Sequence, residues 1–293
     1  MFKGSIVALV TPFDEAGEID FAALSSLVSF HLDSDTDALV IAGTTGESAC
    51  LRAGEFEAVL RAVVDQVAGR MPVIAGTGTA ATERTIENTR LAAACGADAA
   101  LVVTPYYNRP TQHGLVAHFL AVAESSQLPL ILYNVPSRTA VDMLPATVHK
   151  LAGHRRIVAI KEAVGRMDRV AELLRLCGDD IIVLSGDDSS FLQAMRCGAH
   201  GVVSVAANVV PAAFKSICRA AQRQDWEAAE AEETRLRQLF DLLMIEPNPI
   251  PVKWALHEMS LCTPQLRLPL TPLSESHREA LNRCLAKLSV LQS

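Results

Sequence analysis

The stretch IVAIKEA, residues 157–163, runs an aliphatic segment straight into a lysine. A short continuous apolar run fits a strand buried on both faces. Lys161 would then end that strand, where an ammonium is costly to desolvate unless it is paired or neutralised. It is either a snorkelling rim lysine or an amine placed for chemistry. Similar runs occur as SIVALV from residue 5, ALVIA from 38, MPVIA from 71, DAALVV from 98, LPLILY from 128, IIVL from 181 and HGVVSV from 200. With IVAI they make eight strand candidates, continuous rather than alternating, as expected of parallel strands covered on both sides. Helix-length segments at 20–31, 52–68, 82–95, 112–125, 166–177 and 188–197 separate most of them. The repeated βα unit predicts an α/β fold, a (β/α)8 TIM barrel rather than an open doubly wound sheet. We read residues 1–222 as the barrel and 223–293 as a mainly helical C-terminal extension packed against it, with EPNPIP from 246 breaking the helical run.

The 293-residue chain is half apolar, one fifth charged and carries a formal charge of -7. That profile is globular, and it offers no general attraction to nucleic acid or an anionic membrane. No run of eighteen apolar residues occurs, and the opening MFKGSIVALVTPFDEAG meets Pro12 and acidic residues too soon for a signal peptide. Seven scattered cysteines without a CxxC pair point to reduced thiols and a cytoplasmic setting. The histidines lie singly, without HExxH or paired ligand spacing, so no metal is expected. GTTGES lacks the GK[ST] of a phosphate loop, which argues against nucleotide hydrolysis, and no GxGxxG dinucleotide fingerprint occurs.

A barrel gathers its functional groups at the C-terminal ends of its strands. Lys161 closes the sixth strand, while GTTGES follows the second, GTGTAAT the third, TPYYNRP the fourth, YNVPSRT the fifth and SGDDSS the seventh. Tyr133 ends the strand before Lys161, so an amine and a phenol can face one cavity, the pairing a carbonyl-attacking lysine needs. Glu162 falls on the alternate side and reads as a structural ion partner. Backbone N–H groups with the Thr44 and Thr45 hydroxyls can hold a carboxylate; a plain βα turn, with Glu47 near a helix start, is the alternative. Tyr106 and Tyr107 cannot both point down one strand face, so one can enter the cavity while the other meets a loop or a partner subunit. Arg138 offers a planar fork for a second carboxylate, or a surface ion pair. Asp187 and Asp188 read most simply as helix caps before SSFLQAM.

Taken in order, GTTGES, TPYYNRP, LYNVPSRT, IKEA, LSGDD and EPNPIPVKWA resemble the 4-hydroxy-tetrahydrodipicolinate synthase (dihydrodipicolinate synthase) family of pyruvate-dependent aldolases and lyases, across essentially the whole chain. The resemblance implies a Schiff base between Lys161 and pyruvate, whose enamine condenses with L-aspartate-4-semialdehyde in the diaminopimelate route to lysine. It implies a hydroxyl relay of Thr44, Tyr107 and Tyr133, with Tyr107 donated by the neighbouring subunit of a tight dimer. Thr45 would hold the carboxylate of pyruvate and Arg138 that of the aldehyde, with Gly186 and Val203 as backbone contributors near the lysine. A homotetramer built from two tight dimers is the implied assembly, with no cofactor.

Lysine-sensitive members carry histidines, an asparagine and a glutamate in a cleft at the tight-dimer interface. The matching places here are Ala53, Phe56, Ala80 and Arg84, with Ala49 and Tyr106 still compatible, so weak or absent feedback by lysine is expected. The rival readings are another pyruvate-dependent lyase, such as one acting on N-acetylneuraminate or a 2-oxo sugar acid, and a catalytically silent small-acid sensor or interaction protein.

Overall fold

Each aliphatic run becomes a short strand, and the eight strands close in chain order into one parallel barrel. The computed structural model describes residues 2–291. The strands are β1 Gly4–Ala8, β2 Ala38–Ile41, β3 Val73–Gly76, β4 Ala99–Val103, β5 Leu130–Asn134, β6 Ile157–Glu162, β7 Ile182–Ser185 and β8 Gly201–Ser204. Nearly every strand residue is buried, because one face meets the barrel interior and the other the helices. The alternation sorts them: Ile6, Ala8, Val40, Ile74, Leu101, Ile131, Tyr133, Ala159, Leu184 and Val203 fill the interior. Val7, Leu39, Ile41, Val73, Leu130, Leu132 and Ile160 pack outward under the helices.

The helices are α1 Phe21–Asp33, α2 Glu55–Val67, α3 Thr82–Ala94, α4 Gln112–Ser125, α5 Pro136–Thr139, α6 Pro145–Ala152, α7 Met167–Cys177, α8 Phe191–Arg196, α9 Pro211–Gln222, α10 Trp226–Leu243, α11 Ile250–Glu258 and α12 Glu275–Lys287. None is long and apolar enough to cross a membrane. The helical segments read from the sequence reappear as α1 to α4, α7 and α8. The α6 helix was not among them. Its eight residues are started by Pro145 in the first turn, where a missing N–H costs nothing, and its punctuation resembles a loop.

Beyond α9, the chain stays on the barrel. Phe240 of α10 meets Phe191 of α8 edge-on at 6.5 Å, and Phe191 stacks on Phe214 of α9 at 5.0 Å. Burying such side chains contributes roughly 2–3 kcal/mol each. The α10 helix therefore anchors the segment that follows it, residues 244–249, against the C-terminal rim of the barrel.

Candidate active site

The register of β5 against β6 pairs Tyr133 directly with Lys161. Both continue the inward series, Tyr133 two residues after Ile131 and Lys161 two after Ala159, so both side chains rise into the mouth of the barrel. Lys161 is 5% exposed, and its Nζ lies 4.4 Å from the centre of the Tyr133 ring. Gly186, just past β7, makes the room: a Cβ there would sit 2.8 Å from Lys161 Cε and 2.8 Å from Ala163 Cβ.

One residue on, the alternation turns Glu162 outward. Its carboxylate accepts from Asn134 Nδ2 at 3.0 and 3.1 Å, from Arg169 Nε at 3.1 Å and from the Val164 amide at 3.1 Å. Burial pushes this carboxyl up, and Arg169 opposes the shift. Adjacent residues are thus divided into an amine inside the barrel and a paired carboxylate outside it.

The loop after β2 brings Thr44 and Thr45 to the same mouth. Glu47 takes a left-handed conformation, φ 51°, and the turn carries its carboxylate inward rather than to a helix start. There it meets Lys253 Nζ at 2.5 Å, with both side chains fully buried. Lys253 also donates to the Gln265 carbonyl at 2.8 Å and lies 4.1 Å from the centre of the Phe13 ring. Burial pulls the Lys253 ammonium down, and Glu47 opposes it. From the same C-terminal segment, Asn248 Nδ2 donates to Thr45 Oγ1 at 3.0 Å, and the Asn248 carbonyl accepts from Arg138 Nη2 at 3.3 Å.

Together these groups surround a cavity of about 130 Å³ that Lys161, Tyr133, Thr44, Thr45, Arg138 and Gly186 line. Its dimensions suit a small molecule. Two hydroxyls and a guanidinium offer hydrogen bonds to acidic groups, and a buried amine stands within reach of a carbonyl. Val203 belongs to the interior layer below, paired in register with Ile6, and is not part of the lining. Tyr107 is also outside it, 92% exposed and held at φ 70°. No group of three potential metal ligands occurs among the described residues.

Asp187 and Asp188 line the cavity but do not cap α8, whose N-cap residue is Ser190 and which has no side-chain cap. Asp188 Oδ2 instead accepts from the Val205 and Ala206 amides at 3.1 and 2.7 Å, holding the turn that follows β8. Asp187 accepts from the Ser189 and Ser190 hydroxyls. The capping expectation thus misplaces the partners of both carboxylates. Two acids after a strand suit a cap for the next helix, but the barrel brings the β8 turn closer.

A larger cleft, about 680 Å³, opens beside the cavity and shares Thr44, Arg138 and Asn248 with it. Ala49, Ala53, Phe56, Arg84 and Tyr106 line it. Ala80 is next to that lining, its carbonyl accepting from Asn108 Nδ2 at 2.7 Å. Arg84 is exposed and pairs with Glu87 at 2.9 Å.

The model of the "Dihydrodipicolinate synthetase family" matches residues 1–288. The chain belongs to the dihydrodipicolinate synthetase family. Among its relatives, the 4-hydroxy-tetrahydrodipicolinate synthase of Methylococcus capsulatus is 53% identical over 291 residues, 99% of this chain and 100% of that protein. The chloride-inhibited dihydrodipicolinate synthase of Acinetobacter baumannii, solved in complex with pyruvate, is 44% identical and superposes with a TM-score of 0.98, covering 99% of this chain and 100% of that one. A dihydrodipicolinate synthase from Cyanidioschyzon merolae, solved with lysine bound, is 38% identical with a TM-score of 0.96 and 99% coverage of both chains.

Within this dihydrodipicolinate synthetase family member, Asn248 and Lys253 lie in the motif EPNPIPVKWA but received no role from it, and the ion pair of Glu47 was likewise missed. Lys253 carried a signal of its own. It lies in IPVKWAL, a lysine set among apolar residues as Lys161 is in IVAIKEA. Asn248 carried none, since an asparagine before a proline reads as a turn.

Proposed function

We propose that this chain is a 4-hydroxy-tetrahydrodipicolinate synthase, a lyase that condenses pyruvate with L-aspartate-4-semialdehyde through a Schiff base on Lys161. The observation that carries the reading is the Lys161 amine, buried at a strand end over the Tyr133 ring in a cavity with hydroxyl and guanidinium groups. The Lys161 nitrogen attacks the pyruvate C2 carbonyl, and loss of water leaves the imine. Loss of a C3 proton gives the enamine, whose C3 forms a bond to the aldehyde carbon. The amino group of the second substrate then closes on C2 and displaces Lys161, so the net reaction releases one water and the cyclic product.

Two carboxylates need holding. Thr45, with the backbone of its loop, takes that of pyruvate, and Arg138 takes that of the aldehyde, directly or by ordering the relay. Tyr133 is the general acid and base at the imine, because its ring lies against the amine on which the proton transfers occur. Thr44 links it to Tyr107. Tyr107 acts in the cavity of a second copy: it is 92% exposed and absent from its own cavity. Gly186 leaves the space that the Lys161 chain fills, and Val203 supports the site from the layer beneath.

The assembly that follows is a homotetramer of two tight dimers acting in the cytoplasm. Residues 223–293 belong to the same catalytic unit as the barrel of residues 1–222, since Asn248 and Lys253 reach the loop that carries Thr45.

The decisive experiment combines a condensation assay coupled to product reduction with borohydride trapping of pyruvate. Turnover with a reduced pyruvyl adduct on Lys161 supports the reading. Turnover without that adduct refutes the assigned nucleophile. Efficient cleavage of N-acetylneuraminate or a 2-oxo sugar acid without condensation would assign the chain to another pyruvate lyase, and binding without turnover to a small-acid sensor.

A further inference from the structure

We propose that Asn248 fixes the direction of the Thr45 hydroxyl, so that its proton faces the cavity and is donated to the bound carboxylate. The inference rests on the reading of Thr45 as a carboxylate-holding residue. A threonine hydroxyl has one proton and two acceptor sites, and rotates to suit its partners. Here one acceptor site is occupied by Asn248 Nδ2 at 3.0 Å, and among the described residues the hydroxyl donates to no protein group. Both residues are buried, Thr45 at 2% and Asn248 at 7% exposure, so bulk water does not compete freely for the hydroxyl. Its proton is left for whatever occupies the cavity that both residues line.

The amide can do this only if it is itself held. Arg138 Nη2 donates to the Asn248 carbonyl at 3.3 Å, tying the backbone. Lys253, further along the same segment, is locked at 2.5 Å to Glu47, two residues beyond Thr45. The loop carrying the hydroxyl is therefore pinned to the segment carrying the amide through Glu47 and Lys253, while Arg138 ties the amide's own backbone to the β5 loop. Asn248 Oδ1 is buried without a hydrogen-bond partner among the described residues, so the bond that Nδ2 donates to Thr45 is this side chain's one tie to the loop. One residue thus serves both carboxylate-binding groups, Thr45 through its side chain and Arg138 through its carbonyl. Asn248 is a positioning residue: it acts on substrate through Thr45.

The sign of the effect can be reversed. In Asn248→Asp the amide becomes an acceptor. The Thr45 proton then turns toward the new carboxylate, and lone pairs face the substrate. Asn248→Ala merely frees the hydroxyl. We expect the pyruvate concentration for half-maximal borohydride trapping on Lys161 to rise roughly 3- to 10-fold in Asn248→Ala and roughly 10- to 100-fold in Asn248→Asp. In a Thr45→Val background, Asn248→Ala should add less than about twofold, because the group it acts through is gone. Thermal unfolding verifies that each variant folds, and if one does not, the cycle is run with the other. Equal trapping by wild type and both variants, or full additivity of Thr45→Val with the Asn248 substitution, would overturn the inference. Wild-type protein that traps no pyruvate would instead refute the Schiff-base reading, so the two failures are distinct.

Discussion

Lys161 and Tyr133 are register partners on adjacent parallel strands, and the lysine nitrogen stands 4.4 Å from the centre of the tyrosine ring. The contact has two separable parts. The ring supplies a wall for the lysine chain, and under the proposed function the phenol supplies a proton. Tyr133→Phe keeps the wall and removes the proton, so Lys161 should still be trapped by pyruvate and borohydride, more slowly but to completion. Condensation should fall by about 10²- to 10⁴-fold in kcat, the usual contribution of a positioned acid or base. Steady-state kinetics that retain most of the turnover would remove Tyr133 from the proton transfers.

Gly186 tests the placement of the amine from the other side. A Cβ at this position would come within 2.8 Å of Lys161 Cε and 2.8 Å of Ala163 Cβ, closer than such atoms stand. Gly186→Ala should push the lysine chain aside and also force the backbone at Ala163, whose Cβ has no torsion by which to yield, to shift. A displacement of about 1 Å at a reacting group costs up to about 100-fold in rate. Reduced kcat and slowed trapping, with a stability loss of about 1–3 kcal/mol in urea unfolding from the overpacking, are the expected result. Unchanged kinetics would mean that the amine has slack the geometry does not allow.

The cleft beside the cavity bears on control by lysine. Arg84, Ala53 and Phe56 line it, and by the family resemblance they stand where lysine-sensitive relatives are expected to carry an acid and histidines. Free lysine should therefore inhibit weakly or not at all. Arg84→Glu should raise lysine affinity by about two- to fivefold, the range of an exposed ion pair. Calorimetry at saturating pyruvate is the measurement, and tight lysine binding accompanied by strong inhibition of the unmodified protein would contradict the expectation.

Two buried histidines predict how acid acts on the fold. His31 Nδ1 lies 3.2 Å from Thr36 Oγ1, and His118 Nδ1 lies 3.0 Å from Thr82 Oγ1 across α3 and α4. Burial lowers His31 to about 3 and His118 to about 4. Below their ordinary value of 6.5 the unfolded chain takes up protons that the folded chain refuses. Stability from these residues is therefore complete above that pH and is lost as the pH falls toward the folded values. Each contributes a slope of about 1.4 kcal/mol per pH unit in that window. Urea unfolding from about pH 6.5 to about pH 5 should show the slope, with His118→Gln removing one histidine's share. An unaltered slope in that variant would show that His118 is charged in the folded protein.

The barrel was legible because its signal is local and repeated. Each strand is a short aliphatic run, and alternation along it settles that Tyr133 and Lys161 face in while Glu162 faces out. The lining residues that come from strand ends and their loops were legible for the same reason. What the sequence hid is non-local. Asn248 meets Thr45 from 203 residues away in the chain, and Lys253 meets Glu47 from a similar distance in sequence, and no spacing rule connects them. The two acids after β7 misled for the opposite reason: their local reading as caps was reasonable, but a nearer set of amides from β8 took Asp188. Pro145 similarly hid α6, since proline marks a helix start as readily as a loop.

Lys253 and Lys161 have the same apolar setting in the sequence, yet among the described residues only Lys253 is given a carboxylate, and that difference can be tested through stability. The Glu47–Lys253 pair is fully enclosed, with Nζ and Oε1 2.5 Å apart and the second carboxylate oxygen accepting from the Arg267 amide at 3.1 Å. Removing one partner strands the other charge without water. Lys253→Met should therefore cost about 3–5 kcal/mol, well beyond the value of an exposed pair. Replacing both, as Glu47→Gln with Lys253→Met, removes the stranded charge and should recover a large part of that loss. Lys161→Met removes an amine that no carboxylate pairs with among the described residues, so it should leave the urea midpoint near that of the unmodified protein while abolishing pyruvate trapping. Chemical denaturation of the four proteins separates the two lysines. If Lys253→Met proves harmless, or if the double variant is no more stable than Lys253→Met alone, the buried pair is not what fastens the C-terminal segment to the Thr45 loop.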